Sequence, residues 1–289
     1  MTLYPGQIIE RHNVALFGHF ANAFTRLYDA STFDDVKVER ITYVSDGLRI
    51  KGYIAMPRKA GIYPVLLWNR GGYKDRGALD DMTAWMILGS TAGWGYVVLA
   101  TQYRGNRDGE GEPDWGGKDV DDALNMLEVA RNLPECDLNR VAIEGASRGG
   151  MTTYRALLKD DRFRCAIVHA GLSDLIAICD VSENFRVLTD RITEGMSEEA
   201  RREKIQSLSA VYFANKLPRT VPILLLHGTN DDTVPVDQTT RLAARFDTYG
   251  IPYKLELIEG GGHVALKDGS YARIDELRKE WLEKYLQVR

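Results

Sequence analysis

Val141-Ala142-Ile143-Glu144-Gly145-Ala146-Ser147-Arg148-Gly149-Gly150 decides how the rest of the chain is read: an apolar strand runs into Gly-x-Ser-x-Gly, and a helix follows. A serine on such a strand-to-helix turn sits in a strained backbone conformation, and small neighbours let strand and helix approach without a side-chain clash. The geometry projects the Ser147 hydroxyl into solvent and aims the backbone N–H of Arg148 at the place where an oxyanion would form. Ser147 is therefore the candidate nucleophile, and its flanking strand and helix separate it from a plain Gly-rich turn.

A serine hydroxyl is protonated at neutral pH, so attack requires a base, and that base requires a carboxylate to hold its tautomer. After this kind of turn the two follow in the order acid, then histidine. Leu224-Leu225-Leu226-His227-Gly228-Thr229-Asn230-Asp231-Asp232-Thr233-Val234-Pro235 is a strand followed by a loop with two acids. Leu255-Glu256-Leu257-Ile258-Glu259-Gly260-Gly261-Gly262-His263 is a strand followed by glycines and a histidine. Both ends fall on the side of the sheet where Ser147 lies. Spacing alone does not choose between Asp231 and Asp232; the second role in that loop is to satisfy loop amides. His227, directly after its strand, reads as a buttress of the acid loop. His169 reads as structural, and His12 and His19 as packing or surface residues without an acid or nucleophile beside them.

Further out, extended runs alternate with helical periodicities. Val36 to Val44 and Leu48 to Ala55, joined by Ser45-Asp46-Gly47, predict an antiparallel hairpin. Strands follow at Pro64 to Trp68, Gly95 to Thr101, Arg140 to Glu144, Cys165 to His169, Val221 to Leu226 and Tyr253 to Ile258. Helices are predicted over Met82 to Leu88, Lys118 to Arg131, from Ser147 onward, Glu198 to Leu208, Gln238 to Tyr249 behind Asp237 as a cap, and Ile274 to Leu286. Alternation of this kind builds an α/β fold, a mostly parallel sheet with helices on both faces, and places chemistry in loops at the carboxyl ends of the strands. Ahead of the first predicted strand, Val14 to Tyr28 spaces Leu16, Phe17, Phe20, Phe24, Leu27 and Tyr28 as an amphipathic helix. Residues 1–35 thus read as a helical segment packed on or near a catalytic domain of residues 36–289.

The 289 residues are 44% hydrophobic and 27% charged, with 37 Lys and Arg against 41 Asp and Glu for a formal charge of −4. A chain so apolar and so weakly charged folds rather than staying disordered. It also lacks the positive charge an electrostatic nucleic-acid binder needs. No apolar run is long enough to cross a bilayer, and the first ten residues carry no secretory pattern. Three cysteines without a CxxC pair argue against a disulfide framework and fit a reducing cytoplasm.

Four further stretches accompany the serine turn: Trp68-Asn69-Arg70-Gly71-Gly72, Gln102-Tyr103-Arg104-Gly105, Trp115-Gly116-Gly117-Lys118-Asp119-Val120 and His227 to Pro235. Together they resemble the α/β-hydrolase superfamily, and most closely the catalytic domain of the prolyl oligopeptidase family of serine peptidases, over residues 36–289. The resemblance implies an α/β-hydrolase fold with about eight strands. It makes Ser147 the nucleophile, Asp231 the orienting acid and His263 the general base, and it calls for neither metal nor organic cofactor. The resemblance, not the spacing, prefers Asp231 to Asp232. The oxyanion donors would be the Arg148 amide and the loop at Gly71 and Gly72, whose glycines let backbone N–H groups approach a substrate.

The sequence departs from the family pattern twice. A tyrosine hydroxyl often assists the oxyanion at the position matching Arg70; here a backbone amide near Gly71 supplies the donor, the guanidinium does so directly, or Arg70 forms an ordinary loop ion pair. Typical members also carry an amino-terminal β-propeller, and some 35 residues ahead of the first predicted strand are too few for one. Tyr73 and Trp115, the latter in the polar loop Arg104 to Gly117, are candidate walls of a substrate pocket. The expected activity is acyl transfer to water from a peptide, amide or ester, on a small-molecule or short-peptide substrate. A carboxylesterase is the nearest rival, and a non-catalytic binding module of the same fold the rival from another class. The oligomeric state stays open.

Overall fold

The computed structural model describes residues 3–15, 34–263 and 271–286. Among them nine strands make one sheet: β1 (Ile8–Val14), β2 (Val36–Ser45), β3 (Leu48–Pro57), β4 (Tyr63–Asn69), β5 (Val97–Thr101), β6 (Cys136–Ala146), β7 (Phe163–His169), β8 (Ile223–Gly228) and β9 (Tyr253–Ile258). Their spatial order is β1-β2-β3-β5-β4-β6-β7-β8-β9. Pairing is antiparallel from β1 through β3 to β5 and parallel from β5 through β4 to β9. The predicted hairpin is present. Asp46 and Gly47, with φ of 50° and 78°, form its two-residue turn, whose positive φ angles match the twist of the flanking strands.

Alternation along the central strands builds two cores. Val65 and Leu67 of β4 and Val97 and Leu99 of β5 face one side, while Leu66, Trp68, Val98 and Ala100 face the other. A strand with both faces covered reads as an unbroken apolar run, which is why these segments are easy to find in the sequence. The helices are α1 (residues 81–92, with a π turn at Trp85–Gly89), α2 (Asp119–Arg131), α3 (Arg148–Ala156), α4 (Leu175–Val181), α5 (Glu183–Ile192), α6 (Glu198–Leu208), α7 (Ala210–Phe213), α8 (Asp237–Tyr249) and α9 (Tyr271–Leu286). Helices α2, α3 and α8 cover the first face with residues such as Leu127, Tyr154 and Phe246. Helices α1 and α9 cover the second with Trp85, Leu88, Leu277 and Trp281. A third, smaller cluster of Trp115, Met151, Leu172, Leu175, Ile178, Ile205, Leu208 and Val234 sits beneath α4 and α6.

Two expectations change. The sheet starts earlier than Val36, because Ile8–Val14 pairs antiparallel with β2, and this strand brings the count to nine rather than about eight. Its outward residues are polar and exposed, as an edge strand allows, so it shows little apolar alternation. Asp237 is the first residue of α8 rather than its cap: Thr240 N–H already donates to Val236 C=O, and the Asp237 carboxylate pairs with Arg241 at 2.5 Å. The amphipathic segment, from Leu16 to Tyr28 and including His19, lies outside the described residues.

Candidate active site

Ser147 joins β6 to α3 with φ 56° and ψ −121°, a left-handed conformation that costs a non-glycine residue about 1–3 kcal/mol. Three backbone hydrogen bonds hold it there: Ser147 N–H donates to His169 C=O (2.9 Å), while Ser147 C=O accepts from Gly150 (2.9 Å) and Leu172 (3.2 Å). The crossing is too tight for side chains. A Cβ at Gly145 would collide with the Gly149 carbonyl, and one at Gly149 with the Asn69 carbonyl. Just ahead of the turn, the buried Glu144 carboxylate takes both arms of Arg278 from α9 at 2.8 and 2.9 Å, fastening β6 to the helix behind it. The Ser147 hydroxyl itself makes no hydrogen bond among the described residues.

The acid and the histidine meet because the loops after β8 and β9 are tied together. Thr229 N–H donates to Ile258 C=O (3.0 Å), Asn230 N–H to Gly261 C=O (2.9 Å), and Gly260 N–H to the Thr229 hydroxyl (2.9 Å). Asp231 Oδ1 accepts the amides of Thr233 (2.9 Å) and Val234 (2.8 Å), which turns Oδ2 toward His263 Nδ1 at 2.7 Å. With a carboxylate as its partner, Nδ1 carries the proton and Nε2 of the neutral ring keeps its lone pair. Burial alone would raise the Asp231 carboxyl. Hydrogen bonds from His227, His263 and the Val234 amide outweigh it and hold the group well below the ordinary value. Asp232 is exposed and accepts the Thr233 hydroxyl at 3.1 Å; it does not reach His263.

The remaining histidines have other work. His227 is fully buried; Nε2 stands 2.8 Å from Val234 C=O and 3.2 Å from Asp231 Oδ2, and Nδ1 2.6 Å from the Thr239 hydroxyl. Two oxygen acceptors at Nε2 place the proton there, so Nδ1 accepts from Thr239, and the ring props the acid loop as the sequence suggests. Burial pushes His169 down to about 3, aided by neighbouring His227 and His263, so this ring stays neutral. His12 lies exposed on β1.

The loop after β4 passes directly over the serine. A Cβ added at Gly71 would stand 3.2 Å from the Ser147 Cβ and 3.7 Å from its Oγ. As the first residue of α3, Arg148 has an amide N–H without an intrahelical acceptor. The Arg70 guanidinium points inward instead of into a pocket or onto an acid. It donates to the carbonyls of Gln102 (2.8 and 3.2 Å), Gly71 (3.1 Å) and Lys74 (2.9 Å), and burial together with the nearby Arg148 charge pushes it down to about 10. Trp115 is 2% exposed in the third cluster and offers no pocket wall, whereas Tyr73 is half-buried at its edge. The start of the Arg104 to Gly117 loop is likewise committed: Arg104 pairs with Asp122 at 2.7 and 2.9 Å and with Asp46 at 2.8 Å.

Two partnerships escaped the sequence reading. Arg148 forms a buried ion pair with Asp119, and Glu144 one with Arg278. The available signal was an acid inside the apolar strand ending at Ser147, since a buried charge needs a partner; no sequence feature names that partner. Among the described residues no group of His, Cys, Asp and Glu is arranged to hold a metal, and no helix is long and apolar enough to cross a membrane.

Strand order, a left-handed serine between strand and helix, and an acid–histidine pair on the two later loops define an α/β-hydrolase. The profile of the prolyl oligopeptidase family (Peptidase_S9) matches residues 83–289, and the chain belongs to that family. The relative described as uncharacterized peptidase YtmA of Bacillus subtilis (strain 168) is 32% identical over 205 residues, covering 71% of this chain and 77% of that protein. Uncharacterized peptidase YuxL of the same organism is 27% identical and covers 86% of this chain but 39% of its own length. Among solved structures, a Mycobacterium tuberculosis puromycin-hydrolyzing peptidase superposes with a TM-score of 0.73 at 23% identity, over 91% of this chain and 41% of that one. The chain therefore spans most of one relative and about two fifths of the other two. Family membership supports serine-hydrolase activity of the peptidase type.

Proposed function

We propose that the chain hydrolyses amide bonds of short peptides or aminoacyl compounds through an acyl-enzyme formed on Ser147. His263 Nε2 takes the hydroxyl proton as Oγ attacks the carbonyl, and Asp231 steadies the imidazolium. The Arg148 amide and one from the Gly71–Tyr73 loop receive the oxyanion. His263 then returns the proton to the leaving amine, and water repeats the cycle to release the acid. The observation that supports this reading is the 2.7 Å bond from His263 Nδ1 to Asp231, which commits Nδ1 as the donor and leaves Nε2 as the ring's basic atom. The similar proteins, two described as peptidases and one as a puromycin-hydrolyzing peptidase, favour amides over esters.

A fluorophosphonate probe tests the reading. We expect stoichiometric labelling at Ser147, absent in Ser147→Ala, together with turnover of aminoacyl amides that falls by several orders of magnitude in the variant while its melting temperature holds. A well-folded wild-type chain that neither labels nor hydrolyses overturns the enzyme reading in favour of a binding module. Labelling with ester cleavage and no amide cleavage replaces peptidase by carboxylesterase.

A further inference from the structure

Two buried arginines converge on the loop above Ser147, and each grips one carbonyl of its glycine pair. Arg70 Nη1 donates to Gly71 C=O at 3.1 Å, and Arg148 Nη1 donates to Gly72 C=O at 3.0 Å. Both guanidinium carbons lie over the ring of Tyr103, at 5.1 Å for Arg70 and 4.6 Å for Arg148. Asp119, itself buried, pairs with Arg148 from the opposite side. Like charges are not brought together in a protein interior without a return, and Asp119 makes a contact ion pair with only one of the two, acting on Arg70 from farther off together with Asp75. The remaining compensation comes from the Tyr103 π face and from the loop carbonyls.

We propose that Arg70 and Arg148 are positioning residues for the oxyanion site. In a trans peptide the C=O and N–H point in opposite directions. A carbonyl drawn inward to Arg70 therefore turns the Gly72 N–H outward, and a carbonyl drawn inward to Arg148 does the same for the Tyr73 N–H. The N–H groups of Gly71, Gly72 and Tyr73 donate to no protein group among the described residues, and Gly71 abuts Ser147. The loop thus presents oriented, unspent donors beside the serine. In place of a tyrosine hydroxyl at residue 70, the chain has an arginine that aims backbone amides from behind.

This inference rests on hydrolysis at Ser147, and the experiment separates the two. Arg148→Lys keeps a cation for Asp119, but a single ammonium cannot reproduce the guanidinium fork that spans Asp119 and Gly72. We expect kcat to fall about 10- to 100-fold with KM within twofold, less than the loss of a whole donor because the amide is misaimed rather than removed. An ester and its thionoester, in which sulfur replaces the charge-accepting oxygen, should react at rates closer to each other in the variant than in wild type. A general loss of packing would not narrow that ratio. If Arg148→Lys is folded and keeps its kcat, if the loss lies in KM, or if the ester-to-thionoester ratio is unchanged, the inference is overturned. Should Arg148→Lys fail to fold, Arg70→Lys is measured by the same criteria and decides. A wild-type chain inert toward both esters would instead refute the hydrolase reading itself.

Discussion

Asp231→Asn removes one charge and almost no volume, and the structure dictates what the new amide must do. In the native loop Oδ1 takes two backbone N–H groups at 2.9 and 2.8 Å, and Oδ2 takes His263 Nδ1 at 2.7 Å. Asparagine has one oxygen, and the two fixed amides claim it. Its –NH2 then faces Nδ1–H, donor against donor, so His263 relieves the conflict by moving its proton to Nε2. That tautomer carries its N–H on Nε2 and, on the proposed mechanism, cannot accept the serine proton. The expected loss is about 10⁴-fold in kcat, with KM little changed. It corresponds to about 5.4 kcal/mol of transition-state stabilisation. Steady-state kinetics on one amide and one ester substrate provide the assay, with Asp232→Asn, exposed and remote from the imidazole, expected within twofold of wild type. The pH dependence of stability supplies a second readout. Because the folded carboxyl lies below the ordinary 3.8, its stabilisation is complete above that value and is lost as pH falls through the lower folded value. Acid-unfolding curves of the Asn variant should lack that contribution. An Asp231→Asn enzyme within tenfold of wild type, or an equal loss in Asp232→Asn, would refute the assignment.

Other outcomes follow from contacts around the turn. Gly71→Ala places a methyl 3.1 Å from the Ala146 carbonyl and 3.2 Å from the Ser147 Cβ; the serine must give by a few tenths of an ångström, and we expect kcat to drop about tenfold with an unchanged urea midpoint. Wild-type kcat in that variant would mean the loop has slack over the serine. Glu144→Gln leaves Arg278 buried with Asp275, at 2.6 Å, as its remaining acid. We expect about 3 kcal/mol of lost stability in urea unfolding, largely recovered when Arg278→Met is added. A single variant within 1 kcal/mol of wild type would show that the pair does not hold β6 to α9.

Much of this was written in local chemistry. Gly145 and Gly149 flag the turn because only residues without a Cβ let β6, α3 and the Asn69 carbonyl approach so closely, and that requirement is visible one residue at a time. Strands β4 to β8 show as apolar runs because both of their faces are covered. Strand β1 escaped notice because an edge strand with polar outward residues has no such signature, and its pairing with β2 is a long-range event. Asp237 misled because an acid near a helix start suits a cap and a first turn equally well.

By itself, then, the sequence determined the alternation that makes an α/β sheet, the serine turn, and the chain order of acid and histidine, all set by spacing and residue size over short stretches. Only the tertiary structure decided which acid faces His263, that His227 props Asp231, and that Arg70 and Trp115 are buried rather than lining a pocket. These outcomes depend on which loop ends the sheet order makes neighbours and where each side chain finds its hydrogen-bond partner. Asp231 and His263, like Arg70 and Gln102, stand 32 positions apart in the chain, and no local pattern records their meeting.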